Sequence, residues 1–322
     1  MDADMIRRCE QLSENRKRVE RVYRLSPPQM HCLCALLLCL DDHDADLIGL
    51  RRGNKLLHKN TGLFSAFRGM AMAPIATKLS VTPHAEYWLN YAKDNYRSLK
   101  TAGFAATDYL TIAALLMAKQ HERRDAIAAA ARTHFLEMRH AHRALTGGTD
   151  ASFAVLMAMY GVDGTEAQSK GALVFDRLAV RFGRTNNVQT AAHICAMSPM
   201  DAASFAQNTE ALYDAIREAG ICNKGTLEVG ILAYLTLLDA PIAQTAQRIV
   251  AVNEALKATS GFSKARIGRN QRLLFSACLV AIDALAKTSG SPTFERDRDL
   301  LQCTMISTVL LAIVQGMAAS PN

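Results

Sequence analysis

Five histidines, His121, His134, His140, His142 and His193, fall in the middle of the chain with Asp150 and Gln189 near them. Imidazole changes charge near neutral pH and binds metals as a neutral base, so this grouping points to acid–base chemistry or to a metal site. Spacing argues against the metal. His140 and His142 are two residues apart, which on a helix sets them about 200° apart around the axis. Glu137-x-x-His140 has the form of half a di-iron motif, and no second Glu-x-x-His accompanies it. Cys32-x-Cys34, with Cys39, His31 and His43 close by, misses the Cys-x(2–4)-Cys spacing of zinc sites, and the two thiols would point apart on a helix. No metal and no cofactor is therefore expected. Neither a Gly-rich phosphate loop nor a G-x-S-x-G elbow is present, which leaves the common nucleotide and hydrolase folds without support.

What remains is a polar set. The turn Leu145-Thr146-Gly147-Gly148-Thr149-Asp150 has the composition of a tight reversal followed by a helix cap, and its N–H groups together with His142 could also meet an anion. Gln189 and His193, four apart, share one face of a helix, where they would bond a neighbouring backbone or line a pocket. The candidate pocket or partner-binding residues are thus His142, Thr146, Asp150, Gln189 and His193. A second candidate is a basic patch of Lys264, Arg266, Arg269 and Arg272, in a stretch with no carboxylate between Glu254 and Asp283. No aromatic stacking platform accompanies it, so a solvated face is the simpler reading and there is no specific nucleic-acid signal.

The elements that must position these residues are helices. Half of the 322 residues are hydrophobic but only 6% are aromatic, with Ala, Leu and Met supplying most of the apolar mass. That balance favours helix over strand. From Leu99 onward, apolar helices follow turns marked by Gly103, Gly183, Gly220 and Gly261, and the segments Leu99 to Phe104 and Ile216 to Ile221 agree in kind across 117 residues, three periods of 39. A period near forty made of two helices is the mark of stacked helical hairpins. The expected fold is all-α: antiparallel hairpins in a roughly 40-residue repeat, resembling an α-solenoid, with an irregular N-terminal helical part (1–98), the repeats (99–262) and C-terminal helices packed on the array (263–322), as one continuous domain. Leu300 to Ala319 carries no charge and is long enough to cross a bilayer, yet Gln302, Thr304, Ser307, Thr308 and Gln315 interrupt it; a buried core helix is the first reading and a tail anchor the second. Eight cysteines set mostly in apolar helical patterns, and an opening MDADMIRRCEQL without an apolar signal region, point to the cytoplasm.

MRHAHRALTGGTDASFAVLM (Met138 to Met157) and NVQTAAHIC (Asn187 to Cys195) make the chain resemble the bacterial domain-of-unknown-function family 4003, and the likeness extends from TGLFSAFRG (Thr61 to Gly69) through Ala102 to Phe104 into the alanine-rich end. His142, Leu145, Thr146 and Asp150 match the family's His, Leu-Thr and Asp positions, and Gln189 and His193 its Gln and His. Ala144 stands in place of an aromatic residue, and Thr149 in place of a second acid. The resemblance implies a helical fold and no particular substrate.

With no complete catalytic set in the sequence, the leading expectation is a non-catalytic scaffold whose stacked hairpins bind a protein or peptide. The alternative is a small-ligand-binding or enzymatic protein that gathers His142, Asp150, Gln189 and His193 between adjacent hairpins. The two differ on whether His142 and His193 share a face. A further alternative is membrane association through Leu300 to Ala319.

Overall fold

The structure is a computed structural model that describes residues 1–143, 145–221, 227–238, 240–263 and 267–318. The described residues contain no strand. They form seven antiparallel helix pairs and one long terminal helix: α1 (Ala3–Val22) with α2 (Pro28–Leu40), α3 (Leu47–Asn60) with α4 (Met72–Val81), α5 (Ala85–Thr101) with α6 (Asp108–Leu116), α7 (Arg124–Ala141) with α8 (Gly148–Met159), α9 (Gly164–Phe182) with α10 (Asn186–Ala196), α11 (Ala202–Glu218) with α12 (Val229–Leu235), α13 (Ile242–Lys257) with α14 (Arg269–Ala286), and α15 (Phe294–Ala318).

Two kinds of helix alternate. The first member of each pair buries a stripe at helical spacing, such as Leu89, Ala92, Asn95 and Leu99 in α5, and turns charged residues outward. The second member is buried on nearly every side, as in α8 from Thr149 to Met159 and α10 from Asn187 to Ala196. An inner ring and an outer ring follow directly, because a helix apolar all round can only sit where neighbours surround it.

The array does not stay open. Helices α1 and α2 pack against α13 and α14, closing the stack on itself. Polar ties cross the seam: Arg8 Nε donates to Asp283 Oδ1 at 3.0 Å, Gln29 donates to Gln271 at 3.0 Å, and the Arg16 guanidinium lies over the Phe262 ring. The first two pairs, α1 to α4, take their places in the ring beside the later pairs, and residue 262 falls between α13 and α14. Their turns escaped the pattern because they use Pro27-Pro28 and a 3-10 turn at Ala66–Arg68 in place of a left-handed glycine.

At Gly103, Gly183, Gly220 and Gly261 the backbone does take positive φ, where a Cβ would be strained. The α7/α8 turn is built differently: Gly147 is extended, and the reversal is held by Thr146. Helix α15 threads the middle of the ring against α2, α8, α12 and α14. Its apolar window is 78% buried, and Leu300, Leu301, Cys303, Met305, Ile306, Val309 and Leu310 are fully enclosed. The uncharged stretch that is long enough to cross a membrane is the axis of the core; Ala319 lies outside the described residues. The cysteines at 9, 32, 34, 39, 195, 278 and 303 are free and buried, and burial pushes the Cys9 and Cys195 thiols up to about 11. Cys222 lies outside the described residues.

Candidate active site between two hairpins

The α7/α8 and α9/α10 pairs are neighbours, and bonds between successive pairs join residues 43 apart: Ser152 Oγ to Tyr109 O, Gln189 Nε2 to Thr146 Oγ1, and His193 Nε2 to Asp150 Oδ1. A near-forty recurrence plus about one helical turn of offset is what brings the candidate residues together.

Asp150 is the third residue of α8. Its Oδ2 accepts the Gly147 N–H at 2.7 Å, closing the first turn of the helix, and its Oδ1 meets His193 Nε2 at 2.7 Å. Both side chains are buried. A carboxylate only accepts, so Nε2 of His193 carries the hydrogen, and in the neutral form of the ring Nδ1 is the acceptor. No partner for Nδ1 exists among the described residues. The His193 ring also packs on Phe153, 5.3 Å between centroids.

Gln189 is oriented through Thr146. The Thr146 hydroxyl donates to the carbonyls of Met138 (3.1 Å) and His142 (3.0 Å), which closes the end of α7. Its oxygen is then an acceptor for the Gln189 amide nitrogen at 3.3 Å, and this turns Gln189 Oε1 the other way, buried and without a partner. His142 caps the end of α7. Its ring packs on Phe175 at 4.1 Å, and Arg184 Nη2 approaches Nδ1 at 3.4 Å. Burial first, and the Arg184 cation second, hold the His142 pKa below the usual histidine value, so the ring is neutral at neutral pH. A guanidinium cannot accept a hydrogen bond, so Nδ1 presents its lone pair to Arg184 and Nε2 carries the hydrogen; that Nε2 is buried and unpartnered.

His142, Gln189 and His193 line one narrow cleft that runs between α7 and α9, with His134, Glu137 and Gly164 along it. Its enclosed volume is about 20 Å³, room for about one water molecule. Among the groups that line it are one donor without a partner, His142 Nε2–H, and two acceptors, Gln189 Oε1 and, in the neutral ring, His193 Nδ1. His134 lies 3.8 Å from Glu137, and burial holds its pKa below the usual value.

The five candidate pocket residues are thus all in one place, with Asp150 and Thr146 behind the three that line the cleft. The other histidines are elsewhere: His121 stacks on Tyr91 and bonds Asn95, and His140 is exposed. No group of three or more His, Cys, Asp or Glu is arranged to hold a metal among the described residues. Lys264 and Arg266 lie outside the described residues and Arg269 is exposed, but Arg272 is buried, its Nε on Asn253 Oδ1 and an Nη on the Phe262 carbonyl, tying down the α13/α14 turn. Arg184 and Phe175, which set the state of His142, escaped the sequence reading because no spacing rule links them to a histidine 42 and 33 residues away.

The model of a family described as "Protein of unknown function (DUF4003)" matches residues 17–316. The chain belongs to this family. No curated protein and no solved structure matches it. As a DUF4003 member the chain carries no borrowed activity, and its chemistry has to be read from the cleft.

Proposed function

We propose that this DUF4003 protein is an acid–base enzyme in which His193, oriented by Asp150, deprotonates a water molecule at the base of the cleft for attack on a small polar substrate. One observation carries the reading: the three residues that line the cleft offer one donor and two acceptors, the complement of a single water. Such a water would accept from His142 Nε2–H and donate to Gln189 Oε1 and His193 Nδ1, leaving a lone pair for attack. Asp150 would keep the imidazole in the right tautomer and stabilise the imidazolium that forms, the role a buried carboxylate plays behind a catalytic histidine.

The test is a hydrolysis screen of the purified protein with chromogenic carboxylic and phosphoric esters and amides. Turnover should fall about 10²–10⁴-fold in His193→Ala, the usual contribution of a general base, with a comparable loss in Asp150→Asn. Turnover indifferent to His193→Ala, or none in any class, would remove the proposal.

A scaffold that binds a protein partner is the second reading. The ring is closed and α15 fills it, so no inner groove is offered among the described residues; a partner would use the outer wall, where α9 exposes Leu173 and Val180, seven residues apart on one face. For the compartment, seven free buried thiols support a reducing cytoplasm. The enclosure of α15 weighs against membrane attachment.

A further inference from the structure

A second cavity lies where α15 enters the ring, at the end marked by the C-termini of α2, α4 and α6. It shares no lining residue with the cleft. Its volume is about 240 Å³, the liquid volume of roughly eight waters. Asp41, Lys78, Lys119, Arg298 and Asp299 face it, with His43 and Gln302, and an apolar wall is made by Trp88 with Leu115, Leu116 and Val81.

The charges there do not balance. Three cations line the cavity against two carboxylates; Glu295, which also meets Lys119, is largely in solvent. The hydrogen-bond count is lopsided in the same direction. Asp41 takes Lys78 on both oxygens, at 2.8 and 2.5 Å, and Arg298 as well. Asp299 takes Lys119 at 2.7 Å on one oxygen and the Tyr160 hydroxyl at 2.7 Å on the other. Both acceptors are therefore engaged. An ammonium has three N–H groups and a guanidinium five, so Lys78, Lys119 and Arg298 each keep donors beyond those the carboxylates use. Lys78 is the most enclosed of the three, and burial, with Arg298 and Lys119 beside it, holds its pKa below the usual lysine value. A guest that brought one negative charge would neutralise the surplus and engage the spare donors.

From this cavity we infer a second binding site, for a small organic monoanion whose carboxylate or phosphate meets Arg298, Lys78 and Lys119 and whose flat apolar body lies on Trp88. The excess of donors selects the charge and the Trp88 wall selects the body. A neutral isostere would leave the cationic surplus as it is.

Trp88 is the single tryptophan of the chain, so its fluorescence reports on this cavity. Titrating the native protein with benzoate, methyl phenyl phosphate (a monoanionic diester) and benzamide should give a saturable change in emission with one or both anions, and which of them binds tighter identifies the headgroup. Benzamide should bind at least about tenfold more weakly. Arg298→Gln, checked for native helicity by circular dichroism, should weaken the anion at least about tenfold, and His193→Ala should leave it unchanged, which separates this site from the acid–base cleft. Benzamide binding as tightly as benzoate, or no saturable change with either anion, would overturn the proposal on the native protein alone.

Discussion

Replacing Asp150 by alanine removes two bonds at once, and the structure sizes the loss. Oδ2 closes the first turn of α8 through Gly147 N–H, and a lost cap of this kind costs about 1 kcal/mol. Oδ1 accepts His193 Nε2 in a buried setting, and a hydrogen bond to a charged group is worth about 1.5–3 kcal/mol, with the orphaned N–H of His193 left among apolar neighbours. The sum is about 2.5–4 kcal/mol, a large part of the roughly 5–15 kcal/mol that holds a domain together. Urea unfolding of the wild type, Asp150→Ala, His193→Ala and the double variant isolates the pair. If the carboxylate and the imidazole act as one unit, the coupling energy should be about 2 kcal/mol, because the cap term cancels in the cycle. A coupling below about 0.5 kcal/mol, the level at which independent sites add, would mean that Asp150 serves only as a cap and does not hold His193.

Asp283 receives Arg8, Arg248 and Lys287 at the seam of the ring, so Asp283→Ala should cost about 3–5 kcal/mol by leaving the buried Arg8 with only the exposed Asp42 at 4.0 Å, measured by chemical denaturation. Burial alone would raise the Asp283 pKa, but the Lys287 and Arg248 bonds outweigh it and hold it below the usual value; its contribution is present above the unfolded value of about 3.9 and disappears as pH falls below that. Acid should act earlier through His142 and His134. Both have folded pKa values below the unfolded value of about 6.5, so the unfolded chain takes up protons first, and stability should decline as pH falls through that value and below. His142→Gln should flatten that decline in a series of melting curves against pH. Gly261→Ala should destabilise by about 1–3 kcal/mol, since φ there is +92° and an added Cβ would overlap the buried Arg16 guanidinium that packs on Phe262; an unchanged melting temperature would contradict this.

The helical class, the pairing of helices and the left-handed glycine turns were legible in the amino-acid sequence, because each depends on residues within about one hairpin of each other: an apolar period, a glycine after the last turn, an outer helix with one stripe and an inner helix with none. The candidate residues were legible as types for a similar reason. His142, Thr146 and Asp150 sit around one turn, and Gln189 and His193 share one short helix. Three things were decided only by tertiary packing. Closure of the ring depends on α1 meeting α14, Arg8 on Asp283 across 275 residues, and no local pattern carries that information. Whether the uncharged stretch after Leu300 becomes a membrane segment or an axis turns on what surrounds it, since the same apolar surface suits lipid and the inner faces of seven hairpins equally. The cavity that faces Trp88 is assembled from α2, α4, α5, α6 and α15, whose charged residues look like ordinary helix ends until the ring brings Asp41 beside Arg298 and Lys119 beside Asp299. Periodicity reports which face of a helix is buried; which partner buries it is set by the long-range geometry of the closed ring.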